Sequence, residues 1–204
     1  MITTEPYSSR INEAHSGVYG HMVKLDVERF GQAQPYQCVP ACIKMVLEFL
    51  RKNYGDNIPR LSVSKISRIV KTMKEGTIPK DVERINEILC KGNPVVEFKA
   101  KLLGRFPEIS QELEDNKNPV IVWINTVEPP DVVWHAVAVI GFDPETNKVV
   151  YNDPWDNKEK TEDVGTFSKK WGVEGRMVKV KIRKTHQRHV DEWAPQNVEG
   201  ETDK

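Results

Sequence analysis

The sequence predicts an α+β fold, with helices in its first half and an antiparallel sheet in its second. Between Cys38 and Leu89, apolar residues recur at spacings of three and four, the mark of helices with one buried stripe. After residue 94 the apolar runs shorten and fill with Val, Ile and aromatics, the mark of strands. The turn cluster DPETNK, residues 143–148, joins two of those runs as an antiparallel hairpin. Helices gathered ahead of strands exclude the alternating βα pattern of a parallel sheet.

Each element follows in order. The first helix opens at Cys38, carries Cys42, Ile43, Val46, Leu47, Phe49 and Leu50 on its apolar stripe, and stops at Gly55. A second is expected from a cap at Ser62 or Ser64 to Gly76, with Ile66, Ile69, Val70 and Met73 inside. A third is expected from Thr77 to Leu89, with Pro79 in its first turn. Residues 94–104 read as a strand and 106–117 as a short helix. Residues 118–127, 132–142 and 148–154 read as strands, 165–172 as a helical turn, and 176–183 as the last strand. Residues 1–30 form an N-terminal extension or a first strand laid across the domain. The domain itself spans 31–183, and 184–204 is a charged tail without period.

The bulk properties narrow the function classes. A chain of 204 residues suggests one domain, and at that size about 70% of the unfolded surface is buried, so no disulfide or metal is needed to hold it. Lys plus Arg equals Asp plus Glu at 30 each, which leaves no net field to draw nucleic acid or an anionic membrane. No apolar stretch reaches the length of a signal peptide or a membrane span. Three cysteines at irregular spacing make no disulfide framework, so a reduced, cytoplasmic protein is expected.

The chemistry starts at Cys38. A cysteine in the first helical turn lies beside unpaired N–H groups and the positive end of the helix dipole, and both favour the thiolate. A nucleophilic thiolate needs a proton partner. Of five histidines, His15 and His21 fall in the extension and His186 and His189 in the tail, which leaves His135 as the one inside a strand. Asp153 ends the next strand, where the hairpin brings a carboxylate close to that ring. Asn152 is its rival, and alternation along a strand lets only one of the two serve. Cys42, one turn after Cys38 on the apolar stripe, is better suited to burial than to attack, and Cys90 at a helix end reads as core. Cys38 and Cys42 could hold two corners of a zinc site, but no second close Cys/His pair lies in the domain. Trp134 and Trp155 flank the histidine and the aspartate, as packing or as a shield against water.

Residues 32–46, QAQPYQCVPACIKMV, resemble the nucleophile segment of the bacteriocin-processing, double-glycine-leader peptidases, a papain-like cysteine peptidase family. The later segments HAVAVIGFD and YNDP resemble that family's His-plus-apolar strand and its Asn-Asp-Pro text. Two positions depart from the pattern: Gln37 stands where the family usually has Asp, and Val39 where it usually has Gly. The resemblance implies a papain-like fold, N-terminal helices packed on a C-terminal antiparallel sheet, in a stand-alone member rather than a transporter-fused one. It implies Cys38 as nucleophile, His135 as general base and acid, Asp153 as the residue that orients the ring, and Gln32, six residues before Cys38, as oxyanion donor. The implied activity is cleavage of a peptide or protein substrate, with no cofactor and no metal. Deamidation or acyl transfer on the same triad, or a silent peptide-binding module, are the alternatives.

Overall fold

The apolar stripe after Cys38 forms one helix. In the computed structural model, which describes residues 21–90, 94–127 and 130–183, α1 runs from Cys38 to Tyr54 and buries all six stripe residues. Pro40 falls in its first turn, where a missing N–H removes no helical bond. Gly55 ends the helix at φ 96°, a backbone region glycine enters without strain. The extension through residue 20, including His15, and the tail from 184, including His186 and His189, lie outside the described residues.

The next two helices differ from expectation. Ser62 does cap α2 (Val63–Ile69), accepting from the Lys65 N–H at 3.2 Å, but the helix stops well before Gly76. Lys71 turns to φ 51°, and Met73 and Gly76 close a tight turn through reciprocal backbone bonds of 3.0 and 3.1 Å. Met73 therefore leaves the core and is 64% exposed. The expected third helix is broken into α3 (Pro79–Val82), a 3-10 turn at Glu83–Ile85, and α4 (Asn86–Leu89). Its N-cap is Ile78, while the Thr77 hydroxyl pairs with that of Thr72 at 2.8 Å.

The broken segment lies against the neighbouring strand. β2 (Val95–Lys101) is the edge of the sheet, with a row of backbone groups that no strand pairs. Asn86 donates to the Phe98 carbonyl and accepts from the Phe98 N–H, both at 2.8 Å, and Glu83 accepts from the Ala100 N–H at 3.0 Å. Glu83 and Asn86, three residues apart, thus reach the strand from one face of the segment.

The second half forms where the sequence marks it: α5 (Phe106–Glu114), β3 (Val120–Asn125), β4 (Trp134–Asp143), β5 (Lys148–Asp153), α6 (Val164–Trp171) and β7 (Met177–Arg183). One strand is invisible to the pattern. β6 (Lys158–Asp163) contains no apolar residue, yet it pairs with β5 along its whole length as the far edge. Charges along an edge discourage further pairing. The sheet order is β2-β7-β3-β4-β5-β6, antiparallel throughout, with a short β1 (Val23–Lys24) added to β4.

β4 is central and buried on both faces. Ala136, Ala138 and Ile140 join the core under α1 and α2, while Val137 and Val139 join a second core with Ile109, Leu113, Phe167 and Trp171 of α5 and α6. Residues 23–27 belong to this body. Leu25 donates to the Ile140 carbonyl at 2.8 Å, and the buried Asn152 amide donates to the Val27 carbonyl at 3.0 Å.

β1 can lie on β4 because residue 141 has no side chain. A Cβ there would stand 2.8 Å from the Val23 carbonyl oxygen and 3.3 Å from the Lys24 Cα. Gly141→Ala is expected to force β1 off its register and to lower stability by about 1–3 kcal/mol. Urea unfolding measures this; an unchanged midpoint would show that β1 yields without cost.

Candidate active site

The site begins with how closely α1 lies on β4. Ala136 and Ala138 present almost no bulk to the helix, and the Cys42 thiol donates to the Ala136 carbonyl at 3.4 Å. One turn earlier, this approach leaves Cys38 at the end of β4 beside His135. Gln37 precedes the helix as N-cap without a side-chain capping bond, its amide donating instead to the Ser67 hydroxyl at 3.4 Å. The first-turn N–H groups at Cys38 are thus left for another acceptor.

Strand register then brings the carboxylate. Ala138 pairs with Asn152, so the next residue, Asp153, stands two places along the same face from His135. The ring Nε2 of His135 lies 2.6 Å from Asp153 Oδ1, and both side chains are about nine-tenths buried. With Nε2 committed to Asp153, Nδ1 is the nitrogen left to face a thiol, and Cys38 lies close enough to the ring to raise its pKa. Asn152 points the other way, fully buried, and ties down Val27.

Electrostatics favours an ionised site. Burial works against a charged His135, but the hydrogen bond to Asp153 and the neighbouring Cys38 outweigh it and raise the ring to about 9. Burial also opposes ionised Asp153, yet hydrogen bonds from His135, Lys160 and the Trp155 N–H hold its carboxyl well below the usual range. The raised histidine stabilises the fold fully below its ordinary value of 6.5, and that contribution is lost as pH rises through about 9. The depressed Asp153 contributes above its ordinary 3.8 and loses its contribution as pH falls below that range.

The other cysteines separate cleanly. Burial, then the charges of Cys38 and Asp153, push the Cys42 thiol well up, so it stays protonated in the core. Cys90 is exposed rather than core; it stands one residue past α4, and its thiol reaches no further than the Val96 carbonyl at 3.8 Å.

Gln32 is anchored beside the pair. Its backbone N–H donates to the Pro154 carbonyl at 2.9 Å, next to Asp153. Its side-chain amide donates to the Gln34 and Pro35 carbonyls at 3.0 Å each, while its Oε1 is buried without a partner.

A cleft of about 220 Å³ opens at Cys38, walled by Val39, Met73, Ile78, Trp134 and Arg176. The Arg176 guanidinium lies 4.4 Å over the Trp134 ring. Trp155 meets His135 edge-on, ring centres 6.3 Å apart, and remains 64% exposed. A larger hollow of about 480 Å³, between residues 24–29 and Glu159, contains no nucleophile. Sequence reading missed Lys160, whose ammonium is 2.6 Å from Asp153 Oδ2, and Arg176. The signal for Lys160 was the charge alternation of the unrecognised β6.

Residues 24–178 match the Peptidase_C39 like family, over most of the chain. The chain belongs to that family. Among solved structures it is similar to the peptidase domain of Streptococcus ComA, a bi-functional ABC transporter involved in a quorum sensing pathway. The TM-score is 0.53 at 18% identity, covering 78% of this chain and 99% of that one, a likeness of fold. The papain-like α+β fold expected from the sequence is the fold observed. No curated protein matches the sequence. No helix among the described residues is long and apolar enough to cross a membrane.

Iodoacetamide at pH 6, where an unassisted thiol is protonated, is expected to label Cys38 first and Cys42 last. Peptide mass mapping reads the order. Preferential labelling of Cys42 would overturn the assignment of the nucleophile.

Proposed function

We propose that this member of the Peptidase_C39 like family is a thiol-dependent peptidase that works through Cys38, His135 and Asp153. Family and fold suggest cysteine peptidase activity. The observation that carries the finer reading is the buried His135–Asp153 pair at 2.6 Å, with Cys38 near enough to act on the same ring. The Cys38 thiolate attacks a peptide carbonyl, and His135 Nδ1 gives its proton to the leaving amine. His135 then takes a proton from water, which attacks the thioester carbon and releases the acid and the thiolate. Asp153 keeps the ring in one tautomer through Nε2.

The oxyanion falls to the Cys38 N–H and the Gln32 amide. For Gln32 to serve, one of its protons must leave a loop carbonyl for the oxyanion, an exchange favoured by the charge of the new acceptor. The same observation supports a second reading, a peptide-binding module without turnover, in which Gln32 stays with its own loop. Deamidation or acyl transfer on the triad would leave an intact, mass-shifted product. The cleft beside Cys38 suits an extended peptide as substrate, and a free thiol nucleophile suits the reducing cytoplasm.

Incubation with a peptide library, read by mass spectrometry, decides among cut, mass-shifted and untouched products. Under the peptidase reading, kcat/KM has an alkaline limb near pH 9, where the imidazolium is lost and cannot protonate the leaving amine. His135→Ala should remove that limb together with most of the rate. Gln32→Ala should lower turnover by ~10²-fold or more while Cys38 still alkylates. Wild-type turnover in the Gln32 variant would assign the oxyanion to other donors.

A further inference from the structure

Asp153 has a third side-chain partner that the triad does not require. Its Oδ1 accepts from His135 Nε2 at 2.6 Å and from the Trp155 N–H at 2.8 Å. Its Oδ2 accepts from Lys160 Nζ at 2.6 Å. Lys160 comes from β6 and is not among the residues that line the cleft. The register pairs Asp153 with Lys158 and Tyr151 with Lys160, so Lys160 reaches the carboxylate on the diagonal. A second carboxylate, Asp156 in the turn between β5 and β6, holds the same ammonium at 3.2 Å.

We propose that Lys160 is a positioning residue of this site, fixing the outer oxygen of Asp153 so that the inner oxygen holds His135 in one plane. The proposal rests on the peptidase reading of Cys38, His135 and Asp153. Without Lys160, Oδ2 has no donor among the described side chains, and the carboxylate is held through Oδ1 alone. Lys160 also shares the carboxylate charge that would otherwise act on the imidazolium alone, so it sets how tightly His135 keeps its proton.

The charged and titratable groups that face this cluster are few. They are His135 from β4, Cys38 and Cys42 from α1, Tyr151 from β5, Asp156 from the turn, and Glu162 from β6. Glu162 is occupied by Lys170, and Tyr151 is pushed up to about 12 by burial and then by Glu162. Tyr151 therefore does not titrate near the imidazole. The Lys160 side chain is 37% exposed while Asp153 is 8% exposed, so salt screens the Lys160 contribution and spares the buried His135–Asp153 bond.

The test compares Lys160→Met and Lys160→Arg with the wild type, each confirmed as folded by circular dichroism. In Lys160→Met, kcat is expected to fall about tenfold with KM changed less than twofold, because the lysine touches no substrate wall. The His135 ring titration, followed by NMR without substrate, is expected to move up by about half a pH unit. Raising the salt should move the wild-type midpoint in the same direction, and the Lys160→Met midpoint less. Lys160→Arg should recover most of kcat and of the midpoint. A folded Lys160→Met with wild-type kcat and an unmoved midpoint overturns the proposal. So does a loss of rate that Lys160→Arg fails to recover while the midpoint stays put. The NMR arm reads Lys160 even if no peptide is cut, whereas a Cys38 that ignores His135→Ala in alkylation sinks the peptidase reading itself.

Discussion

Everything at the site depends on how closely α1 approaches β4. Two alanines, Ala136 and Ala138, form the floor under the helix, and the thiol of Cys42 reaches the Ala136 carbonyl. Interiors pack at the density of organic crystals, so a larger residue in that floor would move the helix rather than be absorbed. The helix is rigid over its 17 residues, and its first residue is Cys38. The placement of Cys38 relative to His135 is therefore set by core packing one turn away.

Asp153 is the second fixed point, and its chemistry explains why a carboxylate suits it. A buried charge is costly unless donors surround it, and three surround this one. An amide in its place would offer one acceptor oxygen and turn an N–H toward either His135 or the Lys160 ammonium. Charge-assisted bonds on both oxygens hold the group without help from neighbouring bulk. Asn152, one residue earlier, shows the other use of a short polar side chain, tying a crossing segment to the sheet.

The two edges of the sheet are protected in different ways, and both bear on the site. On β2, Asn86 and Glu83 satisfy backbone groups in place of a strand, from a helical segment that directly follows the Met73–Ile78 lip of the cleft. On β6 the protection is charge, and one of those charged residues, Lys160, turns inward to Asp153. The same strand that closes the sheet thereby reaches the Asp153 carboxylate.

The sequence by itself determined the fold class, the extent of α1 and the hairpin of β4 and β5. Apolar period and turn chemistry are local properties, and those elements bury the stripes that the pattern displays. It also singled out Cys38, His135 and Asp153, since a helix start, a strand interior and a strand end are places that can be read from neighbours. Tertiary structure decided the rest. β6 shows no apolar alternation because an edge strand buries little, so only its partner β5 could reveal it. The third helix reads as continuous because its apolar spacing is intact; the groups that its polar side chains meet lie on the backbone of β2. Lys160 belongs to the site through a cross-strand diagonal, and Cys90, one residue past α4, is left exposed. None of these contacts is written in the residues on either side, since each is made by a group far along the chain whose arrival only folding can arrange.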